Sequence, residues 1–254
     1  MSGHSKWSTI KRAKAVTDAK RGAVFTKLGN LITVAAREKG GDVSANFNLR
    51  LAIEKAKAAN MPKENIERAI KRGTGELGGE QVLELIYEGI GPAKSQFIIK
   101  SLTDNKNRSA ANIRHIFTKY GGVLGSVMWN FSQQGVVRIS DLPASPELQP
   151  ASGRQDRRGE RFLIDDLTLE LIDAGAEDII KEEEGLTIVS KVEDLQKLKI
   201  FLEGKNINTE TADIEYLAKD KIEVKGEDKE KIEKFIAELE DNEDVADYYN
   251  NVNI

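Results

Sequence analysis

Apolar residues between Ala19 and Arg37 recur at Val24, Phe25, Leu28, Leu31, Ile32 and Ala35, which places them on one side of a helix ended by Gly40 and Gly41. A second helix is expected over about 47–59, with Leu49, Ile53 and Ala56 on one face. Pro62 suits the first turn of a third, whose apolar face is Ile66, Ala69 and Ile70 and whose end is Gly73. Three amphipathic stripes in succession can cover one another, so residues 21–78 read as a helical bundle.

After residues 73–79, rich in glycine, the period shortens to two. Segments 82–88 and 97–102 flank Gly89, Ile90, Gly91 and Pro92, a hairpin signal. A helix over about 109–120 follows, built on Ile113, Ile116 and Phe117 and ended by Gly121 and Gly122, and then a strand over 127–131. A second mixed unit starts at Gly135: strand 136–139, helix 166–174, strands 178–181 and 186–190, helix 192–203 and strand 207–217. Strand, helix, strand, strand, helix, strand is the ferredoxin-like order. The tail, helix 228–239 and strand 245–250, has no partner left inside that unit, whereas the preceding module lacks one helix and one strand. The tail is therefore expected to return.

The resulting fold class is multidomain, α and α+β. A basic tail, 1–20, precedes the helical bundle, 21–78. An α+β middle domain is formed by 79–134 with 219–254, and a ferredoxin-like domain, 135–218, is inserted within it. Pro143, Pro146, Pro150, Gly153 and Gly159 lie in a polar stretch, so 142–161 is expected to be a disordered loop.

Charge sharpens this division. Residues 1–80 hold 16 Lys and Arg against 8 Asp and Glu, a net of +8, leaving −12 on the remainder of a chain whose total is −4. No acidic residue precedes Asp18, while Lys6, Lys11, Arg12 and Lys14 are already in place and Lys20, Arg21 and Lys27 follow. A block of this kind is the electrostatic footprint of a polyanion-binding segment, since each cation that meets a phosphate releases a condensed counterion. A solvated tail is the plainer alternative. Trp7 stands among these cations, where an indole can stack on an unpaired base or pack back onto the bundle. The chain has no cysteine, which excludes disulfides and thiol chemistry and fits a cytoplasmic protein. Its apolar runs are too short for a membrane span, so no membrane partner is expected.

Catalytic signals are weak. Gly73, Gly75 and Gly78 have dinucleotide-binding spacing, but they follow a helix and precede a strand, the reverse of the phosphate-cradling context, and read as a linker. His4 and His115, the two histidines, have no assignable orienting carboxylate. The acidic runs at Asp165 and Asp166 and at Glu182, Glu183 and Glu184 read as solvated faces. No enzyme activity, metal or cofactor is expected. Asp104, Asn105, Lys106, Asn107 and Arg108 precede a helix, where Lys106 and Arg108 could hold an anion as a secondary site, or where the segment is an ordinary capped turn.

Met1 to Trp7, then Asp18-Ala19-Lys20-Arg21 and Phe25-Thr26-Lys27-Leu28, resemble the opening of the YebC/PmpR family. The likeness continues through Ala56-Lys57-Ala58-Ala59-Asn60-Met61-Pro62, Tyr87-Glu88-Gly89, Asp104 to Arg108, Ala174-Gly175-Ala176-Glu177-Asp178 and Leu239-Glu240-Asp241. Departures occur at Arg12 and Ala13 and at Phe47 and Asn48. The resemblance implies a helical domain followed by two α+β domains, the third inserted in the second, and a non-catalytic regulator of gene expression. Members of the family carry two descriptions: DNA-binding transcriptional regulators, and RNA- or ribosome-associated translation factors that in some cases ease synthesis of proline-rich segments. Carried over by position, the nucleic-acid surface is His4, Lys6, Trp7, Lys11, Lys14, Lys20, Arg21 and Lys27, and Arg12, although it departs from the pattern, adds a cation among them.

The ribosomal RNA reading is favoured, because an aromatic within a basic tail suits structured RNA with unpaired bases. For promoter DNA, the second and third helices would imitate a helix-turn-helix with Asn65 and Arg68 at the bases, but Glu64 and Glu67 would then face the phosphates. Neither the target gene nor the oligomeric state is readable from the residues.

Overall fold

The computed structural model describes residues 18–78, 81–139, 167–182 and 185–253. The basic tail before Asp18 and the loop 142–161 lie outside the described residues. Three helices open the described chain: α1 (Asp18–Lys39), α2 (Phe47–Ala58) and α3 (Lys63–Gly73). Ile32, Ala35 and Ala36 of α1 meet Leu49, Ala52, Ile53 and Ala56 of α2 and Ile66 and Ala69 of α3, with Met61 of the connector closing the core.

One polar residue shapes the corner between α1 and α2. Asn46 is fully buried and caps α2 by accepting from the Leu49 N–H at 3.0 Å. Its amide donates to the Ala35 and Gly40 carbonyls, both at 2.8 Å. A single side chain thus satisfies orphan groups on both sides of the turn. At the other end, Gly73 permits close approach of α3 to α1, because a β-carbon there would overlap the Thr33 carbonyl oxygen and the Ala36 β-carbon.

The chain continues as β1 (Leu83–Ile90), β2 (Gln96–Thr103), α4 (Lys106–Lys119) and β3 (Val123–Leu124). Next come β4 (Phe131–Ile139), α5 (167–173), β5 (Ala176–Glu182), β6 (Gly185–Ser190), α6 (Leu195–Gly204) and β7 (Thr211–Ala218). It closes with β8 (Ile222–Glu223), α7 (Glu227–Asp241), β9 (Val245–Asn250) and β10 (Val252–Asn253). Two compact units result, Gln133–Glu215 and the remainder of the described chain.

In the larger unit the sheet order is β3-β1-β2-β9. β2 lies antiparallel to both the hairpin partner β1 and the C-terminal β9, with Phe97 opposite Asn250 and Ile99 opposite Tyr248. The tail therefore returns to the sheet that needs it. Phe97 and Ile99 face Ile113, Ile116 and Phe117 of α4 and Ile232, Phe235, Ile236 and Leu239 of α7. Phe235 is central, with Phe97, Phe117 and Tyr120 edge-on at 4.8, 5.0 and 5.6 Å. On the opposite face, Leu102 and Val82 pack against Val34 of α1. The bundle is thus fastened to the sheet through apolar contact and through the Arg37 guanidinium, which donates to the Val82 carbonyl. Because both faces of β2 are covered, its apolar run is nearly continuous rather than alternating.

The smaller unit has the sheet order β5-β6-β4-β7. β4 and β5 each pair antiparallel with β6. In unit order this is 2-3-1-4, the ferredoxin-like arrangement, entered from one part of the middle domain and left into another.

Two expected strands differ. The segment 127–131 is not a strand: Met128–Asn130 form a 3₁₀ turn, and β4 starts at Phe131 and runs without a break to Ile139. Val127 and Phe131 are buried by a tight turn over the sheet face, where they meet Ile98 and Tyr249. The strand expected from Ile207 begins instead at Thr211. Asn206 takes a left-handed φ of 56°, and the Ile207 N–H returns to the Leu202 carbonyl at 2.9 Å. Ile207 is buried as part of the helix stop.

Candidate nucleic-acid interface

His4, Lys6, Trp7, Lys11, Arg12 and Lys14 lie outside the described residues, and Lys20 and Arg21 are placed only as positions in the first turn of α1. Lys27, one and a half turns on, has a defined partner. Its ammonium donates to the Glu240 carbonyl at 2.6 Å, at the end of α7. Burial pulls its pKa below the ordinary lysine range, against the opposing pull of Glu240, Asp241, Glu243 and Asp247. This cation joins the bundle to the middle domain and is not turned toward a ligand.

Several described cations of the bundle lie in the last turns of its helices. Lys55 and Lys57 occupy the last turn of α2, and Lys71 and Arg72 the last turn of α3, where the helix dipole favours positive charge. On α3, Arg68 is exposed and Asn65 half-buried, with Glu64 and Glu67 exposed beside them. Lys63 pairs with Glu67 at 3.5 Å. The leading half of α3 therefore carries mixed charge. The connector from α2 contains Asn60 in a left-handed conformation, φ 58°, and a buried Met61.

The segment before α4 is a capped turn. Asn105 accepts from the Arg108 N–H at 3.0 Å, and Thr103 accepts from the Asn105 N–H at 3.0 Å. The Arg108 guanidinium bridges Asp104 at 3.0 Å and Asp244 at 2.9 Å, and these carboxylates raise its pKa further. A phosphate at this helix start would compete with two carboxylates for Arg108. Lys106 is exposed. His115 is an exposed position on α4. Among the described residues no group of three His, Asp or Glu side chains is placed to hold a metal ion.

Glu88 and Trp129 carry no candidate role in the sequence reading. One oxygen of the Glu88 carboxylate accepts from the Val127 and Met128 N–H groups, both at 2.7 Å, and so anchors the 3₁₀ turn to β1. Next to it, Gly89 is required because a β-carbon would run into the Phe117 ring. This accounts physically for the Tyr87-Glu88-Gly89 segment. Replacing Glu88 with Ala leaves two N–H groups without their acceptor and should lower stability by about 1–3 kcal/mol in urea denaturation, with Glu88→Gln recovering most of it. Equal stability of the alanine variant would mean that water replaces the carboxylate without cost. Trp129, held on that turn, is 63% exposed. The only sequence signal for it is an isolated Trp in an apolar segment, which the strand expectation absorbs.

Comparison with known proteins gives the chain its relatives. The TACO1/YebC protein N-terminal domain matches residues 5–76, and the TACO1/YebC second and third domain matches residues 82–252. A "probable transcriptional regulatory protein" of Thermoanaerobacter pseudethanolicus is 45% identical over 257 residues, covering 100% of this chain and 98% of the relative. One from Thermotoga maritima is 45% identical over 254 residues, covering 99% and 93%. The crystal structure of a conserved hypothetical protein from Aquifex aeolicus superposes with a TM-score of 0.78 at 37% identity, covering 94% of this chain and 93% of that one. The bundle, the middle domain and the insertion are thus each accounted for by one family, and the chain belongs to the TACO1/YebC family.

Proposed function

We propose that this chain is a non-catalytic regulator of gene expression that binds RNA at the ribosome, and that it eases synthesis of proline-rich segments. The observation that carries the reading is the segregation of charge, +8 on residues 1–80 and −12 on the rest. Lys6, Lys11, Arg12, Lys14, Lys20 and Arg21 supply phosphate contacts, with Trp7 and His4 among them for unpaired bases. The acidic remainder turns away from the polyanion, which orients the chain on it. Lys27 acts in this scheme as the anchor of α1 rather than as a phosphate contact, and Arg108 as the staple of its turn.

A second reading, binding of promoter DNA, is favoured by the names of the curated relatives. It would use α3, with Arg68 and Asn65 in the major groove. The exposed Glu64 and Glu67 on that helix oppose the phosphates flanking the groove, which is why the RNA reading is preferred.

The two readings part on two substitutions. Trp7→Ala should weaken association with ribosomes by about 1–3 kcal/mol, Trp7→Phe should retain most of it, and Arg68→Ala should change little. For a helix-turn-helix regulator the pattern reverses, with Arg68→Ala relaxing sequence preference on duplex DNA. Co-sedimentation with ribosomes and duplex binding at one salt concentration separate them. Unchanged ribosome association of Trp7→Ala, combined with loss of specific duplex binding by Arg68→Ala, would overturn the translational reading.

A further inference from the structure

We propose that Trp129 is a second stacking platform, on the acidic body of the molecule, for an unpaired nucleobase, with Lys219 and Lys221 placed for the phosphates beside that base. The inference rests on the nucleic-acid reading above and extends it to a site far along the sequence from the N-terminal cations.

The indole is 63% exposed, while its neighbours in sequence turn inward: Val127 and Asn130 are each 1% exposed and Phe131 5%. Tryptophan is usually well buried, so an indole that the surrounding chain excludes from the core stands out from ordinary packing. Looseness of the turn does not account for it. On one side the Glu88 carboxylate accepts from Val127 and Met128, and the Ser126 hydroxyl lies 3.3 Å from the same oxygen. On the other, Asn130 donates to the Gln96 side-chain oxygen at 2.7 Å and to the Asp220 carbonyl at 3.0 Å. Its own side-chain oxygen accepts from the Asp220 N–H at 2.8 Å, and its carbonyl accepts from the Lys219 N–H at 2.8 Å. The ring is carried outward on backbone fixed at both ends, so little conformational freedom remains to be lost on binding.

The surroundings select the ligand class. The Lys219 ammonium sits 3.2 Å from the Trp129 carbonyl oxygen, and both Lys219 and Lys221 are exposed. Asp220 lies between them in sequence and is also exposed; its backbone is held by Asn130, and its carboxylate offsets one of the two lysine charges, so the segment keeps one net positive charge. An aromatic face with the Lys219 ammonium on its own carbonyl, and a second exposed lysine two positions further along, suits a base with its phosphates, since every base has a face to stack and lysines can track the backbone. A purely apolar protein partner would find polar groups, Ser126, Asn130, Lys219 and Asp220, along the turn and its brace.

The test uses the full chain carrying Trp7→Phe, which keeps a ring at position 7 and leaves Trp129 as the sole tryptophan, since the chain has two. Single-stranded oligo(U) RNA, oligo(dT) DNA and a blunt duplex are titrated in turn. Stacking predicts quenching of Trp129 emission by the single strands and little by the duplex. Trp129→Ala should weaken single-strand binding about 5- to 100-fold, with Trp129→Phe within about threefold of the parent. Replacing Lys219 and Lys221 with Gln should flatten the salt dependence by about 0.7 log units for each phosphate no longer neutralised. Quenching by RNA and not by DNA would support the platform and identify the strand. Unchanged emission at saturation, or equal weakening by Trp129→Ala on duplex and single strands, would overturn the platform while leaving nucleic-acid binding intact. Failure of the full chain to bind any of the three probes would overturn the wider reading. Thermal melting of each variant separates loss of binding from loss of folding.

Discussion

Glu215→Ala should cost the inserted unit about 3–5 kcal/mol, because it strands a buried guanidinium. Arg138 on β4 and Glu215 on β7 form a bidentate pair at 2.7 and 3.0 Å, and they are only 4% and 2% exposed. Burial works against the arginine's charge, yet Glu215, with Asp213 and Glu182, more than offsets it, and the pKa is raised. Among the described residues the Arg138 Nε–H has no hydrogen-bond partner, so the pair is incompletely satisfied there. Removing the carboxylate takes away both hydrogen bonds to the guanidinium and leaves its charge to the weaker pull of Asp213 and Glu182. The double replacement Arg138→Leu with Glu215→Leu should be much milder, since an apolar pair of similar volume avoids desolvating two ions. Hydrogen exchange read separately over residues 131–139 and 211–218 and over β1 and β2 would localise the effect. Loss of protection confined to the former is expected, and equal loss in both would show that the insertion and the rest of the chain unfold as one cooperative block.

Replacing Lys6, Lys11, Arg12, Lys14, Lys20 and Arg21 with Gln should flatten the salt dependence of RNA binding more than any other surface change. Each phosphate left without its cation reduces the slope of log affinity against log salt by about 0.7–0.9, so six such phosphates amount to about 4–5. Between ~50 and ~200 mM salt the unmodified chain should lose on the order of a thousandfold in affinity, and the variant far less. Lys27→Gln supplies the contrast. Its ammonium is both bonded to the Glu240 carbonyl and withdrawn from solvent by burial, so the slope should stay constant even if stability falls. Fluorescence anisotropy with an RNA hairpin carrying an unpaired loop would measure both. If the six-residue variant kept the parent slope, the N-terminal cations would be no more than a solvated tail, and the charge argument for the interface would fail.

Much of the fold could be read from periodicity. The 3.6-residue spacing of Leu28, Leu31, Ile32 and Ala35 reports which side of α1 meets the bundle core, whatever lies opposite. The shortage of one helix and one strand in the middle domain was enough to bring the tail back to that domain, because an unpaired strand and an uncovered sheet face both carry a free-energy cost, while its pairing with β2 is visible only in the structure. Periodicity failed at 127–131, where Val127 and Phe131 are buried by a turn lying over the sheet rather than by a strand within it. Apolar spacing over five residues does not distinguish those two arrangements.

The candidate site was legible as a region and not as a set of contacts. Composition alone located the basic block, because net charge is additive along a chain and needs no partner to be counted. Whether a given cation faces outward depends on residues that only folding brings near: Lys27 and Glu240 are separated by 213 positions, Arg108 and Asp244 by 136, and Arg138 and Glu215 by 77. Trp129 belongs with these. Its outward direction is set by Glu88, Gln96 and Asp220, each distant in sequence. Local pattern records how each residue prefers water or the interior. Which opposite charge, acceptor or ring it meets is decided by the tertiary structure, since hydrogen bonds and ion pairs require a particular partner within a few ångströms.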